Sequence, residues 1–108
     1  MRRVETDDGY VPMTEAQLKS LIGGLAIQNG WVVKQSTQNR EVRPSRRSVS
    51  AGYPDLTCAR DKEVVFMEVK DQKGEVSPEQ WVWLQALPAS HVIRPSDWYS
   101  GRVAELLA

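Results

Sequence analysis

Cysteine is nearly absent from this sequence of 108 residues, which contains Cys58 alone, and histidine occurs only as His91. A lone cysteine cannot form an intramolecular disulfide, and it excludes zinc and iron–sulfur sites built from several cysteines. The stability of the fold must then come from packing or from a partner chain. We therefore expect the protein to work in a reducing compartment, the cytoplasm.

Long apolar runs are also missing. No segment approaches the roughly 18 to 20 apolar residues that a membrane-spanning helix requires. The first residues carry charges of both signs without the apolar stretch of an export signal. We therefore expect neither membrane insertion nor export, and the length predicts one domain with a thin core.

The chain as a whole has no excess of positive or negative charge, because 14 Lys and Arg residues balance 14 Asp and Glu residues. The balance is not local, since residues 34–60 contain six basic and two acidic residues. Four arginines of this segment fall within eight positions: Arg40, Arg43, Arg46 and Arg47. Because salt screens charges beyond roughly 8 to 10 Å, the segment can contact phosphates although the chain is neutral. The alternative is a solvated loop without a partner.

What the sequence contains is an alternation of helix and strand patterns. Residues 1–13 are polar and lack a hydrophobic period, which predicts a flexible arm before a single domain of residues 14–108. The predicted elements are helices at 15–29, 78–87 and 101–107 and strands at 31–34, 55–59, 64–70 and 91–94. A polar segment over 35–50, either a long loop or a mobile hairpin, separates the first two strands. This order predicts an α/β fold with a small mixed sheet flanked by helices.

Charged side chains share one face of the predicted strand at 64–70. The two-residue period of a strand places Glu68 and Lys70 on one side and apolar side chains on the other. Asp55, at the start of the preceding strand, lies beside Glu68 if the two strands are antiparallel. Two neighbouring carboxylates favour a divalent cation, and oxygen ligands select Mg²⁺ or Mn²⁺. The alternative is an ordinary salt bridge between Glu68 and Lys70.

Three segments around these residues share a known pattern: residues 52–56 (GYPDL), 66–70 (FMEVK) and 74–80 (GEVSPEQ). They resemble the VRR-NUC family, a branch of the PD-(D/E)xK nuclease superfamily that includes small stand-alone phage proteins of about this size. The last of the three segments is the most diagnostic. The residues that match the family's positions are Pro54, Asp55, Glu68, Lys70 and Gln80, with Glu15 at the start of the first helix.

The resemblance implies a restriction-endonuclease-like core with a metal site. Asp55, Glu68 and the backbone carbonyl of Val69 would bind Mg²⁺ or Mn²⁺. Glu15 would hold the ion through a water. All family positions are occupied by matching residues, so the resemblance implies an active enzyme.

The same resemblance implies the reaction. Lys70 would act on the attacking water, and Gln80 would support the site or meet the substrate. We expect a structure-selective DNA endonuclease that hydrolyses phosphodiester bonds of branched DNA, such as four-way (Holliday) junctions. Because one small domain contacts little DNA, we expect a homodimer that presents two sites to two strands. It would work in the cytoplasm of a host cell if the chain is phage-encoded.

Contacts with DNA are expected from aromatic and basic residues. Tyr53, beside the metal site, is the preferred aromatic for contact with nucleic acid. Trp81 and Trp83 fall on opposite sides of the second predicted helix, which predicts that one is buried and the other exposed. Phosphate contacts, which position a backbone without reading its sequence, are expected from Arg40, Arg43, Arg46 and Arg47.

Two other interpretations stay open. In the first, the chain is a non-catalytic DNA-binding module whose acidic pair binds a metal only structurally or not at all. In the second, it is the nuclease subunit of a replication or recombination assembly, and a partner supplies the specificity. An RNA substrate is less favoured, because no feature of the sequence reads a 2′-hydroxyl.

Overall fold

Eight helices and strands make up the part of the chain that the computed structural model describes, residues 12–36 and 51–108. They are α1 (Glu15–Gln28), β1 (Val32–Gln35), β2 (Leu56–Arg60), β3 (Glu63–Val69), α2 (Pro78–Ala86), β4 (Ser90–Ile93), α3 (Pro95–Tyr99) and α4 (Arg102–Leu106). Residues 1–11 of the predicted arm and 37–50 of the predicted loop lie outside the described residues. Within the described ranges, no helix combines the length and the apolar character needed to cross a membrane.

Reciprocal side-chain caps fix where the two longest helices begin. At α1, Thr14 Oγ1 accepts a hydrogen bond from the backbone N–H of Gln17 at 3.1 Å, and Gln17 Oε1 accepts one from the N–H of Thr14 at 2.9 Å. At α2, Ser77 and Gln80 form the same pair of bonds at 3.2 and 2.8 Å. Each cap satisfies N–H groups that the first turn leaves without partners. The predicted starts of both helices are confirmed.

A short helix that the apolar period did not predict, α3, follows β4. Pro95 occupies its first turn, and Asp97 Oδ2 accepts a hydrogen bond from the backbone N–H of Arg94 at 2.7 Å. Five residues are too few to display a helical period. The local signal was the proline at the first helical position with an acidic residue two positions later.

The sheet has the order β1-β2-β3-β4. β1 with β2 and β2 with β3 pair antiparallel, whereas β3 with β4 pair parallel through the crossover helix α2. The predicted mixed sheet with flanking helices is therefore confirmed. Leu56 pairs with Met67, and the same register continued by one residue places Asp55 opposite Glu68.

The core lies between α1 and one face of this sheet. Leu18, Ile22 and Ala26 recur every four residues on α1, and all three are fully buried. They pack in one cluster with Leu56 of β2 and Met67 of β3, among others. Burying a leucine or isoleucine side chain stabilises the fold by roughly 1.5 to 3 kcal/mol. This face fixes the position of α1, and with it the residues at its start.

The opposite face of the sheet is covered as well. The ring of Phe66 meets the edge of Tyr53 at 6.2 Å between centroids, and Tyr53 meets Trp83 of α2 at 4.9 Å. Strand β3 is therefore buried on both faces. Its last charged side chain, Glu68, is only 3% exposed.

Candidate active site

Asp55 is held at the start of β2 by contacts to two other elements. Its Oδ2 accepts a hydrogen bond from the backbone N–H of Val69 at 2.8 Å, and its Oδ1 lies 3.6 Å from Nζ of Lys19. Its backbone carbonyl accepts a bond from the N–H of Ser36 at 2.8 Å, which continues the pairing of β1 with β2. The carboxylate is therefore fixed against the end of β3.

Glu68 lies in the interior of the sheet with two polar partners. Its Oε2 accepts a hydrogen bond from Nε2 of Gln80 at 2.9 Å, and Nζ of Lys70 lies 4.0 Å from the same oxygen. The Lys70 side chain is itself only 15% exposed. Gln80 also caps α2 through its Oε1, so the helix start and the site share one residue.

The pKa of Glu68 is raised to about 8. Burial is the largest cause, because it disfavours the charged form, and the charge of Asp55 and a hydrogen bond with its carboxyl act in the same direction. Glu15 adds a smaller repulsion, while the Lys70 ammonium lowers the pKa of Glu68. At neutral pH the Glu68 carboxyl is therefore largely protonated, and a cation bound beside it would take the place of that proton.

Glu15 reaches the same end of the sheet from α1. Its Oε1 accepts a hydrogen bond from the backbone N–H of Asp71 at 3.3 Å, directly after Lys70. The buried stripe of α1 that includes Leu18 and Ile22 sets this direction, since Glu15 begins the same helix face. The structure thus brings the predicted site residues to one end of the central strands β2 and β3: Asp55, Glu68, Lys70, Glu15 and Gln80.

One charged residue at this end of the sheet, Lys19, was not predicted from the sequence. Lys19 follows Glu15 by four residues, so that both side chains lie on neighbouring turns of one helix face. Its ammonium is 3.6 Å from Asp55 Oδ1, and its side chain is 25% exposed. The helical spacing from Glu15 was the signal that could have identified it.

The donor set fits a hard divalent cation. Within residues 12–36 and 51–108, no cluster of three or more His, Cys, Asp or Glu side chains is arranged to hold a metal ion. The pair Asp55 and Glu68 matches the one or two carboxylates by which Mg²⁺ is usually held, the remaining ligands being waters and substrate phosphate. In a strand the N–H and C=O of one residue point to the same side. The Val69 N–H donates to Asp55, so the Val69 carbonyl also points to the side of β3 on which Asp55 lies. The Val69 carbonyl could therefore supply a third oxygen donor beside the two carboxylates.

The structure describes one of the residues predicted to contact DNA, Tyr53, and both tryptophans of α2. Tyr53 is half-buried between Phe66 and Trp83, so part of its ring is used in packing. Trp83 also donates from Nε1 to the carbonyl of Ala51 at 2.9 Å, which fixes the chain just before Tyr53. Trp81, by contrast, is 47% exposed. The predicted phosphate contacts at Arg40, Arg43, Arg46 and Arg47 lie outside the described residues.

Comparison of the chain with protein-family models, with curated proteins and with solved structures gave no match in any of the three. The function must therefore be inferred from the arrangement of the residues themselves.

Proposed function

We propose that this chain is a metal-dependent DNA endonuclease with a restriction-endonuclease-like core of the PD-(D/E)xK type, similar to the VRR-NUC family. One observation carries the proposal: Asp55 and Glu68 are placed side by side across β2 and β3, with Lys70 4.0 Å from Glu68. A buried carboxyl next to a second carboxyl costs folding free energy. A site that retains both is best understood as a site for a cation.

In this proposal Asp55, Glu68 and the carbonyl of Val69 hold Mg²⁺ or Mn²⁺, and Glu15 contacts it through a water. A bound divalent ion would lower the pKa of water and stabilise negative charge on the phosphate. The hydrogen bond from the Val69 N–H fixes the direction of the Asp55 carboxyl group. Protein groups thus set the geometry before any ligand binds.

Lys70 and Gln80 complete the proposed machinery. The Lys70 ammonium emerges on the same side of the strand as Glu68, where it would orient the attacking water and stabilise charge on the phosphate. Gln80 holds Glu68 Oε2 at 2.9 Å, which keeps that carboxylate from turning away from Asp55. Lys19 supplies a second positive charge beside Asp55, and we assign it to the neutralisation of the site before the cation binds.

The substrate and the assembly belong to the same proposal. Branched DNA such as four-way junctions is the proposed substrate, with phosphate contacts from the arginines of residues 40–47 and a homodimer that presents two sites. The single cysteine is consistent with action in the reducing cytoplasm.

The test is a cleavage assay on labelled flap, splayed-arm and four-way-junction DNA with Mn²⁺ or Mg²⁺. Wild-type protein should cut at least one of them, and Asp55→Asn and Lys70→Ala should lose cleavage by a factor of 100 or more, on the order of the loss of a general acid or base. Lys62→Gln, a change at an exposed turn, is the matched control and should cut normally. If the wild type binds these DNAs and leaves all of them intact, the chain is a non-catalytic DNA-binding module.

A further inference from the structure

A groove of about 410 Å³ is formed by residues that follow the candidate active-site residues Lys70 and Gln80 along the chain. One wall is the loop of residues 72–76, which follows Lys70 along the chain, and the other contains Trp81, which follows Gln80. Along the chain, one wall begins two residues after Lys70 and the other one residue after Gln80, and both of these residues interact with Glu68. The volume is within the range of pockets that hold small ligands, roughly 300 to 1,000 Å³.

The loop wall is held in a fixed shape. Nη1 of Arg94 donates to the carbonyls of Asp71 at 2.8 Å and Gly74 at 2.7 Å. The Asp71 side chain accepts a bond from the N–H of Lys73 at 3.1 Å, and a Cβ on Gly74 would lie 2.8 Å from Asp71 Oδ1. The groove is thus formed before a ligand arrives, which lowers the entropy cost of binding.

The lining combines an exposed aromatic face with positive charge. Trp81 is 47% exposed, although tryptophan is usually largely buried. Lys73 and Arg94 contribute two positive charges to the lining against one negative charge from Glu75, and Val76 adds apolar surface. An aromatic platform beside basic groups is the arrangement that binds single-stranded nucleic acid, with a base on the ring and phosphate near the cations.

We propose that this groove binds the base of one unpaired DNA nucleotide next to the phosphate that is cut. A base within a duplex stacks on both neighbours, so only an unpaired base offers its face to Trp81. The inference rests on the proposed nuclease function and narrows its substrate. Among the branched DNAs of the proposed function, the groove then favours flaps and splayed arms, which carry unpaired nucleotides at the branch. These replace the fully paired four-way junction as the preferred example.

The experiment separates binding from cleavage. Affinities of the full chain for a labelled single-stranded oligonucleotide and for the corresponding blunt duplex are measured by anisotropy in EDTA. Trp81→Ala should weaken single-strand binding by about 5-fold to 150-fold, the range expected for one base stacked on an aromatic ring, and leave duplex binding within about 2-fold. Trp81→Phe should retain most of the affinity. Val82→Ala, an exposed neighbour on the same helix, is the control and should bind as the wild type does.

Two results would overturn the inference. The first is unchanged single-strand affinity in Trp81→Ala. The second is an equal loss for single strand and duplex. If unchanged affinity is accompanied by a loss of self-association in sedimentation, the groove is instead a contact between two copies of the chain. The nuclease proposal is tested separately, by cleavage with Mn²⁺. If the protein binds single strands selectively through Trp81 but cleaves no DNA, the groove proposal stands and the nuclease proposal fails. If the protein cleaves DNA but Trp81→Ala binds single strands as the wild type does, the nuclease proposal stands and the groove proposal fails.

Discussion

The side-chain amide of Gln80 joins a helix cap to a buried carboxyl. Its Oε1 accepts a hydrogen bond from the backbone N–H of Ser77 at 2.8 Å, and its Nε2 donates to Glu68 Oε2 at 2.9 Å. The start of α2 and the end of β3 are therefore fixed to each other by one residue. A change at Gln80 must affect both folding and the candidate site.

We expect Gln80→Leu to destabilise the protein more than the loss of a cap explains. The cap contributes about 0.5 to 1 kcal/mol, and a buried acceptor on Glu68 left without its partner costs about 1 to 3 kcal/mol more. Gln17→Leu is the matched control, because Gln17 caps α1 in the same way through Thr14. Urea denaturation gives the free energy of unfolding of both variants. Equal losses of this free energy in Gln80→Leu and Gln17→Leu would contradict the role assigned to the bond with Glu68.

Gly52 is a second position where the backbone determines the site. It has a φ of +80°, and a Cβ there would collide with the backbone carbon of Glu79, 2.5 Å from the Glu79 carbonyl oxygen. A left-handed conformation alone costs a non-glycine residue about 1 to 2 kcal/mol. We therefore expect Gly52→Ala to lower the free energy of unfolding by at least about 2 kcal/mol and to reduce activity, since Asp55 lies three residues away.

The matched control for that variant is Gly24→Ala. Gly24 lies within α1, where a Cβ would meet nothing within 4 Å. Alanine is favoured over glycine in a helix by about 1 kcal/mol, so this change should stabilise the protein. Thermal unfolding should therefore show a lower melting temperature for Gly52→Ala and a higher one for Gly24→Ala. A neutral Gly52→Ala would show that the turn is not held against α2.

The candidate site was largely predictable from the sequence because its residues obey short-range rules. The two-residue period of β3 and the short hairpin at 61–62 place Asp55 opposite Glu68 without any knowledge of tertiary packing. The capping pattern likewise located Gln80. Lys19 was missed although its four-residue spacing from Glu15 is visible in the sequence, because its contact with Asp55 also depends on how α1 lies across the sheet. The groove at Trp81 was missed for the same reason, since its walls come from two elements.

The fold was predictable to the level of element order and sheet type. The bounds of the predicted strands and helices are within one residue of expectation, because side-chain caps mark the starts of α1 and α2. The short helix α3 escaped prediction because five residues show no period. The antiparallel pairing of β1 with β2 crosses the segment 37–50, so its register could not follow from a turn.

We expect the stability of the metal-free protein to fall as the pH rises. The pKa of Glu68 is raised to about 8 in the folded state, chiefly by burial, against an ordinary value of 4.5. Between these two pH values the folded state therefore binds more protons than the unfolded state. The contribution of protonated Glu68 to the free energy of unfolding is complete below about pH 4.5 and lost by about pH 8. Urea midpoints in EDTA should decrease over this interval, and Glu68→Gln should remove most of the decrease. Added Mn²⁺ should raise the midpoint most at the alkaline end, where both carboxylates are ionised.

Lys19 provides a test of how the site is neutralised before a cation binds. Its ammonium lies 3.6 Å from Asp55 Oδ1, so it repels any cation that approaches that oxygen. We expect Lys19→Ala to bind Mn²⁺ about 2-fold to 5-fold more tightly, because the pair is partly exposed and interactions of this kind are worth at most about 1 kcal/mol. Titration calorimetry without DNA measures the change directly. Lys34→Ala, which removes an exposed lysine of β1, controls for net charge and should leave the affinity as it is. Weaker binding in Lys19→Ala would mean that the lysine instead holds Asp55 in its ligating position.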